Sequence, residues 1–576
     1  MTAVPAATPA PTTAPSRQPL LELHGISKHF GAVQALSEVD FEVYPAEVVG
    51  LVGDNGAGKS TLIKTIAGIY TPDSGEYRFE GRPVSVKGPN DVTRLGIATV
   101  YQDLALCDNL DVVDNLFLGR EMGAGGLAPL DEVTMEQRAL DVLRRLSVKI
   151  PNVRTPIAAL SGGQRQSVAV ARSVMWNARV VLLDEPTAAL GVAQTRQVLD
   201  LITNLRSQGL GVVVIWAIFW RLNPNFLSPR NLTNLVLQIA AMGTISVGVV
   251  LVLLLGEIDL SVGAVSGLCA AVMAVLNVKN GQPAVVAIGG AIVVGGLIGL
   301  LQGFWFTRFN VPSFVVTLAG LLAWQGALLY VLGDTGTVNL NDRVIVGLAN
   351  TFFPSWFGWA IALVSTAVYA LTVFSEHRRR RAAGLVVGSP PALAAQVVVF
   401  GALVLAAVAV LNADRGVPSG VLILLGFVVI FDYITSRTRF GRYIYAVGGN
   451  VEAARRAGIS VSGVRLAVFC ITSALAAAGG ILGASRLLAV NQSSGGSDLL
   501  LNSIASAVIG GTSLFGGRGT VWAAPLGALV IGSISNGMDL LGLASSVKFM
   551  ITGAVLLLAV TIDALSRRGR QSAGRA

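Results

Sequence analysis

Charge and cysteine are both scarce in this chain. Charged residues make up 13% of its 576 residues against a hydrophobic share of 53%, and the mean hydropathy is +0.66. That balance excludes a wholly soluble protein. Cys107, Cys269 and Cys470 show neither metal-binding nor disulfide spacing, which suits a reducing cytoplasm and excludes a disulfide framework. An apolar signal core is also missing from the start. "MTAVPAATPAPTTAPSRQ" is rich in Pro, Ala and Thr and reads as a disordered tail over residues 1–18, so the chain is expected to begin in the cytoplasm.

What the chain has instead is apolar length. From about Leu232 onward, runs of Leu, Val, Ala, Gly and Ile reach the ~20 residues a helix needs to cross a bilayer. The 66 glycines fit close packing of membrane helices. The net charge of +9 sits largely in short loops between apolar runs and at the C-terminus. Such loops favour the cytoplasmic side, so the basic balance points to a membrane and not to nucleic acid.

The soluble front half carries a phosphate cradle. "EVVGLVGDNGAGKST" contains G-x-x-x-x-G-K-S after a β-rich run, Val48 to Val52, and before a helical "STLIKTIAG". Gly53, Asn55, Gly56 and Gly58 let backbone N–H groups approach phosphates. Lys59 offsets charge on the β/γ groups, and Ser60, followed by Thr61, suits an Mg²⁺ ligand. "RVVLLDE" reads as a buried strand ending in Asp184, suited to the Mg²⁺ shell, and Glu185, suited to a general base.

"LSGGQRQ", Leu160–Gln166, narrows the field. With it, residues 20 to 215 resemble the ATP-binding-cassette ATPases, an α/β P-loop fold. The resemblance implies that Ser161, Gly162, Gly163 and Gln164 of one subunit close over ATP held by another, so at least a homodimer is expected. It also implies that Phe30 stacks on adenine, the alternative being a core aromatic. Gln102 would touch Mg²⁺ and sense the permease, the alternative being a polar loop residue. This chain departs from the family in two places. Gly191 replaces an aspartate common after "DEPTAAL", a variant the sugar-importer branch tolerates. After the apolar strand "GLGVVVI", Gly209–Ile215, Trp216 and Ala217 stand where Ser-His is expected. His24, His29 and His377 all lie elsewhere, and the family's closing strands and helix are absent.

The back half is all-α and polytopic. Eleven apolar runs are expected to cross, at approximately 233–255, 262–278, 283–303, 312–332, 352–375, 390–412, 416–435, 464–487, 496–516, 521–541 and 546–565. His377–Arg381, the Arg437–Arg456 loop and Ser566–Arg570 should be cytoplasmic. That parity puts residue 232 outside, while the ATPase must be inside, so one more crossing is needed. Only Leu210 to Trp220 can supply it, and as helix it reaches only ~17 Å against ~30 Å of hydrocarbon.

"GRYIYAVGGNVEAARRAGISV" resembles the permease loop that ABC importers insert into the ATPase, with Glu452, Ala453 and Ala454 at its centre. The alternative is a solvated loop helix. Glu257 and Asp259, in "LLLGEIDLSVGAV", stand between apolar runs, and either helix capping or a transport role accounts for them. With "GGTSLFGGRGT" and "NPNFLSPRNLTN", residues 216–576 resemble permeases of the ribose/xylose class, the xylose branch above all. The resemblance implies a multi-pass protein of the bacterial cytoplasmic membrane, working with an extracytoplasmic sugar-binding protein. The expected division is residues 1–18 tail, 19–215 ATPase lacking its C-terminal part, 216–232 seam, and 233–576 permease. The seam reads as a scar joining a shortened ATPase to a permease missing the start of its first helix, the alternative being a compact natural fusion. Three functions remain open: ATP-driven pentose uptake, a hydrolysis-impaired nucleotide-binding remnant that relies on a separate intact ATPase, and an exporter.

Overall fold

The computed structural model describes every residue except 1–17, 32, 46, 48, 50, 52–56, 87, 101–104, 147, 149, 177–178, 184–214, 556, 558–560 and 562–576. The chain forms two compact units. One holds residues 1–105, 169–188 and 456–458, and the other holds 106–168, 189–455 and 459–576. Residues 106–168 therefore belong to the same unit as the membrane helices, although sequence places them in the ATPase half.

In the first unit an antiparallel sheet joins Val33–Val43, Leu21–Phe30, Ser74–Phe79 and Arg82–Pro83 in that order. Alternation explains the strand Leu21–Phe30: Leu21 and Leu23 are fully buried while Glu22 and His24 point away. The helix Lys59–Ile66 places Leu62 and Ile66 in the core with Leu21, Leu23, Ile26, Tyr77 and Phe79. Val180–Leu183 pairs in parallel with Ile97–Val100, Leu183 opposite Val100, and its residues Val180 and Leu182 close the same core.

In the second unit, residues 106–168 carry the helices Val112–Phe117 and Glu132–Arg145 and the start of the helix Gly162–Met175. One buried amide organises the turn before them. Asn115 accepts from Cys107 N at 2.8 Å and donates to the carbonyls of Cys107, Leu110 and Asp111 at 3.0, 3.2 and 2.9 Å. A buried amide satisfied on both ends fixes its loop far more firmly than apolar packing would.

Among the described residues, 8 helices are long and apolar enough to cross a membrane. They match the expected runs from 233–255 through 464–487. Of the later runs, 496–516 differs, 521–541 is a helix close to that length, and 546–565 lies partly outside the described residues. Run 496–516 is a helix of only 13 residues, Ser497–Ile509. The preceding loop packs Gly495, at φ +73°, against Gly263 and Gly267 of the helix Val262–Ala274, where any Cβ would strike their backbone. Run 521–541 is the helix Ala523–Leu540, whose second half carries Ser533, Ser535, Asn536 and Asp539. The helix Val461–Leu487 is central, packing on Pro229–Leu254 and Ala284–Phe309. Gly295 and Gly299 bring the last of these against the backbone of Ser473 and Phe469.

The seam now has a geometry. Residues 215–222 are helical, so Ile215 already belongs to the membrane half, whereas Gly209–Val214 lie outside the described residues. The seam helix runs alongside Ala523–Leu540: Trp216 Nε1 donates to Ser533 Oγ at 2.9 Å, and Asn223 Nδ2 donates to Leu540 O at 3.2 Å. Asn231 and Asn536 exchange hydrogen bonds at 2.8 and 3.1 Å, anchoring the start of Pro229–Leu254 beside the same end. The far end of Pro229–Leu254 receives Gly517 N on Leu254 O at 2.8 Å. The Pro229 end is thus opposite the Leu254 end across the membrane layer. Ser533 stands ten residues along its helix from Ala523, or ~15 Å by helical rise, so the seam helix flanks roughly the outer half of a ~30 Å layer.

Candidate functional site

The helix Lys59–Ile66 begins at Gly58, whose φ is +82°, and a Cβ at Gly58 would lie 2.7 Å from Ala35 O. Only glycine fits that turn. Lys59, Ser60 and Thr61 follow on the first turn, where free N–H groups and the helix dipole favour an anion. Ser60 is exposed and Lys59 half-buried. These residues fit a nucleotide's phosphates. Phe30 is 43% exposed and meets Tyr70 edge-on, with ring centroids 5.0 Å apart. That exposure argues against a core aromatic and leaves a face available for a base. Gly53, Asn55, Gly56, Gln102, Asp184 and Glu185 lie outside the described residues.

The signature residues cap a helix. Ser161 N donates to Gln164 Oε1 at 3.0 Å, and Gln164 N donates to Ser161 Oγ at 3.3 Å. This reciprocal box starts the helix Gly162–Met175, with Gly162 and Gly163 on its first turn.

The loop expected to couple the two halves is two short helices, Arg439–Gly449 and Val451–Arg456. Ala453 and Ala454 are buried, whereas Glu452 is exposed and pairs with Arg455 at 2.5 Å. That burial puts the Ala453 and Ala454 face of the helix against protein. Residues 106–135 meet the first of the two helices and Asn450 after it. Asn109 Nδ2 donates to Tyr445 O at 2.8 Å and to Gly517 O at 2.9 Å. Asn450 Nδ2 donates to Leu106 O at 3.2 Å, and Tyr443 Oη donates to Glu121 at 3.2 Å. Arg439 donates to Glu121 O.

Sequence reasoning missed the centre of this contact. Arg442, 6% exposed, donates to Glu132 Oε1 at 2.6 Å and lies 2.8 Å from Asp114 Oδ1. Arg154 donates to Glu132 Oε2 at 2.6 Å and to Glu136 Oε2 at 2.8 Å. Asp111, Asp114, Glu132 and Glu136 are thus held by guanidinium groups, of which Arg442 comes from the permease half. Burial, then the neighbouring Asp111 carboxylate, push Asp114 up to about 7 despite Arg442. Burial also raises Glu132, but Arg442 and Arg154 outweigh it and hold that carboxyl below its ordinary value. Charges so desolvated depend on one another: removing one partner strands the rest at ~3–5 kcal/mol. The available sequence signal was the pairing of "DVVDN" with an arginine-bearing loop, but residues 310 apart show no period.

Residues 36–188 match the ABC transporter family, and residues 231–560, more than half of the chain, match the family described as branched-chain amino acid transport system / permease component. The chain belongs to the ABC transporters, as an ATPase domain fused to a permease component. The xylose transport system permease protein of Escherichia coli K12 is 38% identical over 358 residues, 62% of this chain and 91% of that protein. The xylose/arabinose import ATP-binding protein of Sulfolobus acidocaldarius is 49% identical over 196 residues, 34% of this chain and 77% of that protein. The fructose import ATP-binding protein of Rhizobium meliloti is 46% identical over 206 residues, 35% of this chain and 79% of that protein.

As an ABC transporter the chain is a multi-pass inner-membrane protein with a cytoplasmic ATPase domain, and the docking helices mark the cytoplasmic face. Its ABC domain binds nucleotide. The carboxylates noted in the permease sequence lie near that face. Glu257 Oε1 pairs with Arg465 at 2.8 Å, and its Oε2 accepts from Ser313 Oγ at 2.8 Å. Asp259 is buried, and its Oδ1 accepts from Ser261 N at 2.8 Å and Ser261 Oγ at 2.7 Å at the start of Val262–Ala274. These bonds make an Asx turn just before the helix, whose N-cap is Ser261, so Asp259 does not cap it as expected. Asp259 Oδ2 has no partner among the described residues.

Proposed function

We propose that this chain drives ATP-dependent uptake of xylose or a similar pentose across the cytoplasmic membrane. The observation that carries the reading is the likeness to a xylose permease over 91% of that protein's length. The docked helices Arg439–Gly449 and Val451–Arg456 support an importer over an exporter, since they present the loop that importers insert into the ATPase. On this reading Gly53, Asn55, Gly56, Gly58, Lys59, Ser60 and Thr61 hold the phosphates of ATP and Phe30 its base. Ser60, Gln102 and Asp184 hold Mg²⁺, and Glu185 activates water. Ser161, Gly162, Gly163 and Gln164 serve the site of a second copy, so the working unit is a homodimer that receives sugar from an extracytoplasmic binding protein.

A second reading has its own observation. Ile215 opens a membrane helix where the cassette ATPases continue toward a histidine, and here Trp216 and Ala217 follow. Hydrolysis would then be weak or absent, and the permease would depend on an intact ATPase supplied separately. ATP turnover by the purified chain in lipid, beside Glu185→Gln, separates the two. Turnover above the control, stimulated by binding protein loaded with xylose and not by empty protein, supports the importer. Nucleotide binding with turnover no higher than the control supports the impaired form.

A further inference from the structure

Glu136 is 4% exposed and receives cations from two directions. Arg154 Nε donates to its Oε2 at 2.8 Å, and Arg380 Nη2 donates to its Oε1 at 2.8 Å. Arg380 sits on the last turn of the membrane helix Ser355–Ala382. The neighbouring Gln137 donates Nε2 to Ala383 O at 2.9 Å, just past the end of that helix. Carbonyls at a helix C-terminus lack internal partners, so consecutive residues of one ATPase helix bind both the side chain and the backbone end of the membrane helix.

The same ATPase helix, Glu132–Arg145, takes Arg442 of the docking helix on Glu132, one turn earlier. Arg154 bridges the two sites through Glu132 and Glu136. Ser355–Ala382 is paired with Pro390–Asn412 through Ala362, Val408 and Leu411, with Val417 beside them. Most of the outward residues of that pair, including Leu363, Val364, Leu371, Val398 and Leu403, are exposed. The hairpin is therefore marginal to the helix bundle yet tied to the ATPase at its cytoplasmic end.

We propose that the hairpin of Ser355–Ala382 and Pro390–Asn412 is a second transmission element, driven by the helix Glu132–Arg145 through Arg380 and Gln137. Arg380 is a positioning residue: it touches no nucleotide or sugar, and it makes the hairpin follow the motion that Arg442 passes to the docking helix. The inference rests on the importer reading, because it requires the ATPase half to respond to nucleotide.

Hydrogen exchange of the full chain in lipid nanodiscs tests it, with and without ATP and Mg²⁺, in a Glu185→Gln background that prevents turnover. The expected result is a nucleotide-dependent change in the amides of both 376–388 and 439–456. Arg380→Ala should reduce the first change at least threefold and leave the second, and Arg380→Lys should restore most of the first. A merely structural arginine would alter exchange equally with and without ATP, and that outcome overturns the proposal. So does an unaltered ATP response at 376–388 in Arg380→Ala, or a response at 439–456 alone in the parent chain. If neither segment responds, the importer reading fails and the proposal falls with it.

Discussion

Asn109 of the ATPase half lies directly over Gly449 of the docking helix. A Cβ at position 449 would overlap the Asn109 side chain, which is fixed by its bonds to Tyr445 O and Gly517 O at 2.8 and 2.9 Å. Gly449→Ala keeps an allowed backbone but displaces that amide, and the two bonds it breaks are worth ~1 kcal/mol each. The thermal midpoint in detergent should fall for Gly449→Ala and for Asn109→Ala. In the Asn109→Ala background, however, Gly449→Ala should cost nothing further, since the obstructing group is gone. Additive losses would show that Gly449 matters for another reason.

Arg442 offers a larger effect. Arg442→Ala leaves Glu132 and Asp114 without their permease-borne cation in a buried site, a loss of ~3–5 kcal/mol. Both contacts come from the single Nη2 nitrogen, so a lysine ammonium keeps the charge but not the planar guanidinium's reach and remaining donors, and Arg442→Lys should fall between. Uptake of labelled xylose should vanish in Arg442→Ala while ATP still binds. Wild-type uptake in that variant would show that the network is not needed for transmission.

Much of the outline was readable because it rests on local pattern. The cradle at Gly58 and Lys59 and the long membrane helices each follow from a short run of sequence. The short helix Ser497–Ile509 was not readable. The expected run 496–516 overran it: the apolar core stops at Gly510 and Gly511, and the glycines of the polar stretch Asn491–Gly496 before it must lie against Gly263 and Gly267, a tertiary demand. The docking network was hidden for a related reason. Arg442 and Arg380 look like ordinary basic-loop residues until the fold brings Glu132 and Glu136 to them, 310 and 244 residues away.

The same network makes a prediction about pH. Asp114 titrates near 7 in the folded chain against an ordinary value of 3.8, because burial and the Asp111 carboxylate oppose its ionisation more than Arg442 favours it. The folded chain therefore keeps a proton that the unfolded chain releases, so this group's contribution to stability falls as pH rises through that window. Asp111, also raised by burial, acts in the same direction, while the lowered Glu132 affects stability only below its ordinary 4.5. Arg154 and Arg442 stay charged throughout. Thermal midpoints measured from about pH 5 to about pH 8 should decline more steeply in the parent than in Asp114→Asn. Parallel curves would remove Asp114 as the cause.

The seam can be tested by the packing that holds it. Phe219 covers Gly537, and a Cβ there would run into the ring, while Trp216 is bonded to Ser533 one turn below. A permease that had lost its first helix altogether would leave this groove on Ala523–Leu540 open; here residues 215–222 fill its outer part. Gly537→Leu should drive the seam helix off, at ~1–3 kcal/mol for overpacking, and Phe219→Ala in the same chain should relieve it. The readout is a cross-link made by a short bifunctional thiol reagent between Trp216→Cys and Ser533→Cys, since the indole's reach leaves the two backbones too far apart for a direct disulfide, in a chain whose native Cys107, Cys269 and Cys470 are replaced. It should form in isolated membranes, fail with Gly537→Leu, and return when Phe219→Ala is added. A bond that forms equally in all three would mean that the seam helix is held by its covalent neighbours alone. Loss that Phe219→Ala does not reverse would place the obstruction elsewhere on Ala523–Leu540.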